Sequence, residues 1–182
     1  MVAVDSRFPA KRPFGTLMTA QWMLSFAVVI ALWNLDFWRG GTALVYYTAW
    51  TTFDMGLFSW CAHLVGLHKP LQLGQIHFYI PFAAINFVYS VILFVLYAIS
   101  TLLCIYFTFT GFRYIGNTAF VYAFATLFCI LAGWTCGYLA LLLYQASENK
   151  PIKLLGIYIE GITTVKFAST AETTTETPML PK

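Results

Sequence analysis

Residues 46–60 read YYTAWTTFDMGLFSW, and the reading of Asp54 within them decides the fold. Without that residue, Thr42 to Leu67 would be an ordinary bilayer-spanning helix. Taken as a boundary, Asp54 cuts the stretch into pieces too short to cross hydrocarbon. Taken as an interruption, it lies near the middle of one span among four.

The composition favours the interruption. Of 182 residues, 60% are hydrophobic and 9% charged, whereas soluble domains carry about a quarter charged residues. Aromatic residues reach 19%, with 17 Phe and 11 Tyr. No water-soluble fold of this size hides so much apolar surface, so the bilayer acts as solvent. Long blocks free of charge then give four spans, at about 16–35, 42–67, 78–108 and 118–144. Each exceeds the roughly 20 residues that cross ~30 Å of hydrocarbon. The third block would be ~50 Å long as one helix, an excess that tilt and projection beyond the outer surface absorb. Pro81 stands near its start, where a first-turn proline is tolerated. The first span follows Arg7, Lys11 and Arg12 as a signal peptide would, but no small-x-small cleavage site follows it.

The expected fold is therefore all-α, a four-helix transmembrane bundle over 16–145. Residues 1–15 form a short cytosolic N-terminal segment. Residues 146–182 form a cytosolic juxtamembrane segment and tail. With four spans both termini share one side with the 68–77 connection. That side holds Arg7, Lys11, Arg12, Lys69, Lys150, Lys153, Lys166 and Lys182, and the other only Arg39 and Arg113. The positive-inside rule puts both termini in the cytosol. Pro151–Ile162 carries enough apolar surface to rest on the inner leaflet. From Thr163 the tail is polar, lacks a periodic apolar face and is expected to be disordered, with Thr177-Pro178 as a phosphorylation candidate.

Two tiny outer loops, around 36–41 and 111–117, leave no room for a folded ectodomain, and no Asn-x-Ser/Thr sequon occurs. Cys61, Cys104, Cys129 and Cys136 all fall within expected spans. They read as small packing residues rather than an outer disulfide or a metal site.

On a helical wheel, Thr48, Thr52, Gly56, Ser59 and His63 share one arc of α-helix 42–67, a small polar stripe suited to helix packing. Asp54 falls opposite, with Tyr47, Trp50, Phe58 and Cys61. If the stripe packs inward, Asp54 faces lipid or a neighbouring subunit; if Asp54 faces inward, the stripe is an oligomer surface. A central Asp costs roughly 2.5–3.5 kcal/mol to insert. Its cheapest accommodation is as the neutral acid hydrogen-bonded to a Tyr or Thr hydroxyl; a proton or ion site is the functional alternative. His63, the nearest candidate for a second ionisable partner, lies nine positions on, near the cytosolic boundary. In the fourth span, Gly133 and Gly137 form a GxxxG that permits close helix approach, within the chain or in a homo-oligomer.

Enzyme chemistry finds little footing. An intramembrane aspartyl protease needs two carboxylates, HExxH is absent, and His63, His68 and His77 lack ligand spacing. The expectation is no catalytic residue, no metal and no cofactor, and a net charge of +3 gives no reason to expect nucleic acid.

The plan resembles the MARVEL family of tetraspan proteins, which includes the myelin-and-lymphocyte, chemokine-like-factor and synaptophysin groups. The likeness lies in the third span, HFYIPFAAINFVYSVILFVLYAIS, and the fourth, NTAFVYAFATLFCILAGWTCGYLALLLYQ, opening with Asn117. It covers roughly 16–145; Asp54 and the Trp-rich first two spans have no counterpart in the family pattern. The resemblance implies a non-enzymatic role in membrane organisation: vesicle trafficking, lipid domains or cell junctions, at the plasma membrane or in secretory-pathway vesicles. It implies membrane lipids, cholesterol among them, and other transmembrane proteins as partners. The competing classes are a small oligomeric channel or transporter with Asp54 in its pathway, and an accessory subunit of a larger complex.

Overall fold

The computed structural model describes residues 5–35, 39–68, 71–73, 76–78, 80–112 and 117–166. Lys69, Arg113, Thr177, Lys182 and the tail beyond residue 166 lie outside the described residues, and with them the expectations that rest on them.

Four long helices dominate: α1 Phe14–Trp33, α2 Thr42–Leu64, α3 Phe82–Gly111 and α4 Thr118–Ala146. Three of them, α1, α3 and α4, are long and apolar enough to cross a bilayer, the character of a multi-pass membrane protein. At 23 residues α2 is also long enough, but Thr48, Thr51, Thr52, Asp54, Ser59 and His63 make it less apolar. Helix α3 begins later than expected because Pro81 holds its N-cap and the chain before it is a strand. Around the bundle α1 packs on α2 and α4, and α3 packs on α2 and α4.

The buried positions explain why the four helices fit together. In α3 they run 86, 90, 93, 97, 100, 104, 107 and 111; in α4, 118, 122, 125, 129, 132, 136, 139 and 143. Helix α1 buries 14, 18, 21, 25, 28 and 32, and α2 buries 42, 45, 49, 52, 56, 59 and 63. Each series alternates steps of three and four, the seven-residue repeat that keeps one seam facing its neighbours in a left-handed bundle. The seam is built from Ser, Thr, Gly, Ala and Cys as much as from Leu and Val. Lipid tails are as apolar as leucine, so close backbone approach and interhelical hydrogen bonds hold helices together where hydrophobicity cannot. Cys104, Cys129 and Cys136 are buried free thiols in this seam, while Cys61 is exposed on α2.

The all-α expectation needs one correction. Two short antiparallel hairpins are present, β1 Leu71–Leu73 with β2 Ile76–Phe78, and β3 Ile157–Ile159 with β4 Thr164–Lys166. The second revises the reading of the C-terminal segment. Residues 151–166 are folded, a 3-10 turn Pro151–Gly156 leading into the β3–β4 hairpin. Leu154, Ile157 and Ile159 are buried with Phe8, Phe14, Met18, Ala83, Leu139 and Leu143. The apolar residues expected to rest on the inner leaflet thus close the end of the bundle, and Thr164–Lys166 is strand rather than disordered tail. Ile152, Leu155 and Ile162 alone in this segment remain as large exposed apolar side chains.

Candidate functional site

The N-terminal segment completes the cap. A 3-10 turn at Phe8–Ala10 inserts Phe8, 1% exposed, against the His63 ring at a centroid distance of 5.2 Å. His63 stacks on its other side with His68 at 4.6 Å, and its Nδ1 lies 2.7 Å from the Ser59 carbonyl, which makes Nδ1 the protonated nitrogen. The Asp5 amide donates to the Leu64 carbonyl and the Phe14 amide to the Gly161 carbonyl, at 2.9 and 3.1 Å. Asp5 and Lys11 pair beside them. Helix α4 ends without a capping glycine: Glu148 and Asn149 take left-handed φ angles of 57° and 62°. That conformation costs a non-glycine residue about 1–2 kcal/mol. The Glu148 carboxylate offsets part of it by bridging Lys153 and Lys166, which ties the helix end to the 3-10 turn and to β4. Hydrogen bonds from both lysines hold its carboxyl down to about 2.

Within the bundle five pairs of polar side chains meet across helices. The Gln21 amide nitrogen lies 3.2 Å from Cys136 Sγ (α1–α4), and the Tyr97 hydroxyl donates to Ser25 Oγ at 3.0 Å (α3–α1). Thr42 and Tyr122 share a hydroxyl–hydroxyl bond of 2.6 Å (α2–α4), and Ser59 donates to Asn86 Oδ1 at 2.9 Å (α2–α3). Trp60 Nε1 donates to Thr19 Oγ1 at 2.9 Å (α2–α1). Sequence reading found Ser59 but not its partner, nor the other four pairs. The missed signal is that Gln21 and Ser25, and Asn86, Ser90, Tyr97 and Ser100, recur at steps of three, four or seven on otherwise apolar helices.

The α2 stripe points inward. Thr48, Thr52 and His63 are fully buried, Ser59 is 6% exposed, and Gly56 faces Trp22 closely enough that a Cβ there would lie 3.3 Å from Trp22 Cβ. Gly133 and Gly137 face α3, where added Cβ atoms would lie 3.1 Å from Tyr97 Cβ and 2.8 Å from the Phe94 ring. Both small-residue faces therefore pack inside a single chain.

Asp54 does the opposite. It is exposed on the outer face of α2, beside Tyr47 and Phe58, which are 63% and 66% exposed. Among the described residues its carboxylate makes no hydrogen bond or ion pair. The expected hydroxyl partner is missing for a local reason. Thr51 and Thr52 turn their hydroxyls back to the carbonyls of Tyr47 and Thr48, at 2.8 and 2.7 Å, as threonines within helices commonly do. The Tyr89 hydroxyl likewise goes to the Thr52 carbonyl at 2.9 Å. His63 is on the buried face, so it and Asp54 are not brought together. Comparison with protein-family models, with curated proteins and with solved structures gives no match.

Proposed function

We propose that the chain is a non-enzymatic, four-span membrane protein with cytosolic termini that organises membranes through lateral contacts. The observation that carries this reading is the distribution of polarity. Five pairs of polar side chains meet inside the bundle and buried Thr48, Thr52 and Thr135 bond to carbonyls of their own helices, whereas a carboxylate and a broad apolar surface face outward. A protein arranged in this way acts on what lies beside it in the membrane.

Three further observations support the reading. Helix α2 runs beside α1 and α3, and its 23 residues cover ~34 Å, enough to cross with them. The excess of basic residues lies on the side of the termini. Among the described residues, open apolar grooves lie on the outside of the bundle. One, of about 520 Å³, lies between α1 and α4 with Asn34 and Asn117 beside Ile30, Phe120 and Phe124; another lies between α3 and α4, along Phe94 and Trp134. The resemblance to the MARVEL tetraspans agrees with a role in vesicle trafficking, lipid domains or junctions, at the plasma membrane or in secretory-pathway membranes, with membrane lipids and other spanning proteins as partners. The outward Asp54 favours one second reading, an accessory subunit seated against another membrane protein.

The test is photocrosslinking in native membranes from positions 47 and 58, with a flux assay on the purified protein in liposomes. Discrete lipid or protein adducts from both positions, and no flux, are expected. Solute or ion turnover that falls in Asp54→Asn would overturn the organiser in favour of the channel.

A further inference from the structure

We propose that the outward face of α2 docks a transmembrane helix of another protein that carries a lysine or arginine near its midpoint, with Asp54 as the counter-ion. The proposal rests on α2 crossing the bilayer. Asp54 then lies about 18 Å along the helix from Thr42 and about 15 Å from Leu64, close to mid-depth. A carboxylate there needs a partner, and intramembrane acids characteristically pair with a basic residue or face a bundle interior.

This chain supplies neither. Among the described residues the basic side chains lie at or beyond the ends of the helices: Arg7, Lys11 and Arg12 precede α1, Arg39 precedes α2, and Lys150, Lys153 and Lys166 follow α4. A second copy would bring a second carboxylate to mid-depth and no cation from the described residues, so it complements Asp54 less well than a basic helix does. Charge complementarity to Asp54 thus favours a basic helix of a different chain as the occupant.

The face is shaped for a helix. Tyr47, Thr51, Asp54, Phe58, Cys61 and Val65 form an outward stripe with steps of four, three, four, three and four. A helix running alongside thus meets each of them in turn. Large rings alternate with small side chains, so the stripe offers gaps as well as knobs. Helix α2 is also the least apolar of the four. With its polar stripe already against α1 and α3, covering the Asp54 side would leave it enclosed by protein on both faces.

The test uses the full chain, fused to an acceptor fluorophore, in phosphatidylcholine vesicles. The probe is a donor-labelled Leu/Ala helix of ~22 residues carrying Lys or Leu at its centre. Energy transfer to wild type is expected with the Lys helix and not with the Leu helix, with affinity falling about tenfold in Asp54→Asn and Asp54→Leu. Equal binding of the Leu helix, absence of binding, or Asp54-dependent self-association of the chain would each overturn the proposal. A nitroxide at position 55 separates the two premises. An interfacial depth removes the span itself, whereas mid-depth without Lys-helix binding removes only the docking site.

Discussion

Replacing Gly15 by alanine tests whether the N-terminal turn is a built part of the bundle. A Cβ at residue 15 would lie 2.0 Å from the Phe8 carbonyl oxygen and 3.1 Å from its carbonyl carbon. Carbon and oxygen cannot approach within about 3 Å, so the turn must withdraw by about 1 Å or more, and the atom in the way is backbone rather than a flexible side-chain tip. Withdrawal pulls Phe8 from beneath His63, at a cost of about 2–3 kcal/mol for exposing the ring. It also strains the hydrogen bonds from Phe14 and Gly15 to the Gly161 carbonyl, at 3.1 and 3.4 Å, worth about 1 kcal/mol each. The cap should therefore loosen by about 3–5 kcal/mol while the bundle stays folded. Hydrogen exchange in detergent would show it as lost protection in residues 8–16 and 157–166, with the centres of α3 and α4 unchanged. Gly156→Ala is the control, since no atom lies within 4 Å of a Cβ there. Equal protection in the two variants would refute the packing of the turn.

Two further substitutions probe the cap and the seam. The Glu148 carboxyl is held down to about 2 by Lys153 and Lys166, so its contribution to the hairpin is present above about pH 4.5 and fades as pH falls towards 2. Protection of residues 157–166, corrected for intrinsic exchange, should decline over that window in wild type and stay flat in Glu148→Gln; parallel profiles would remove the bridge. Gly137→Leu drives a side chain into the Phe94 ring and should destabilise the α3–α4 pairing by about 1–3 kcal/mol, seen as a lower unfolding midpoint in mixed micelles.

Helix positions were legible because long blocks free of charge mark them: the expected segments differ from the helices by only a few residues, Phe82 aside. The α2 stripe was legible because small and polar residues recur on one helical face. The cap was not, and residues 151–162 show why. Apolar content cannot tell a segment lying on a leaflet from one folded under a bundle. What distinguishes them is the two-residue alternation of Ile157 and Ile159 and the turn at Gly161, with φ of 94°. The partners Asn86, Tyr97 and Tyr122 were equally out of reach, because a hydroxyl's partner on another helix depends on rotation and register. Sequence left open which way Asp54 faced, since both faces of α2 carry polar groups.

The final expectation concerns what Asp54 does to the chain when nothing covers it. Among the described residues five hydrogen bonds join side chains of different helices, and such bonds in membranes are worth about 0.6 kcal/mol each on average, near 3 kcal/mol together. An uncovered carboxylate at mid-depth costs roughly 2.5–3.5 kcal/mol, which cancels that gain. With α2 crossing the bilayer, Asp54→Leu should therefore stabilise the isolated chain by about 2–3 kcal/mol, measured by steric trapping, because among the described residues the carboxylate makes no hydrogen bond or ion pair. The same substitution should abolish capture of a lysine-bearing helix. A variant that gains stability while it loses binding would identify Asp54 as a residue kept for a neighbour at the expense of the fold. A destabilised Asp54→Leu would show instead that the carboxylate holds the bundle together, and the docking face would have to be sought elsewhere.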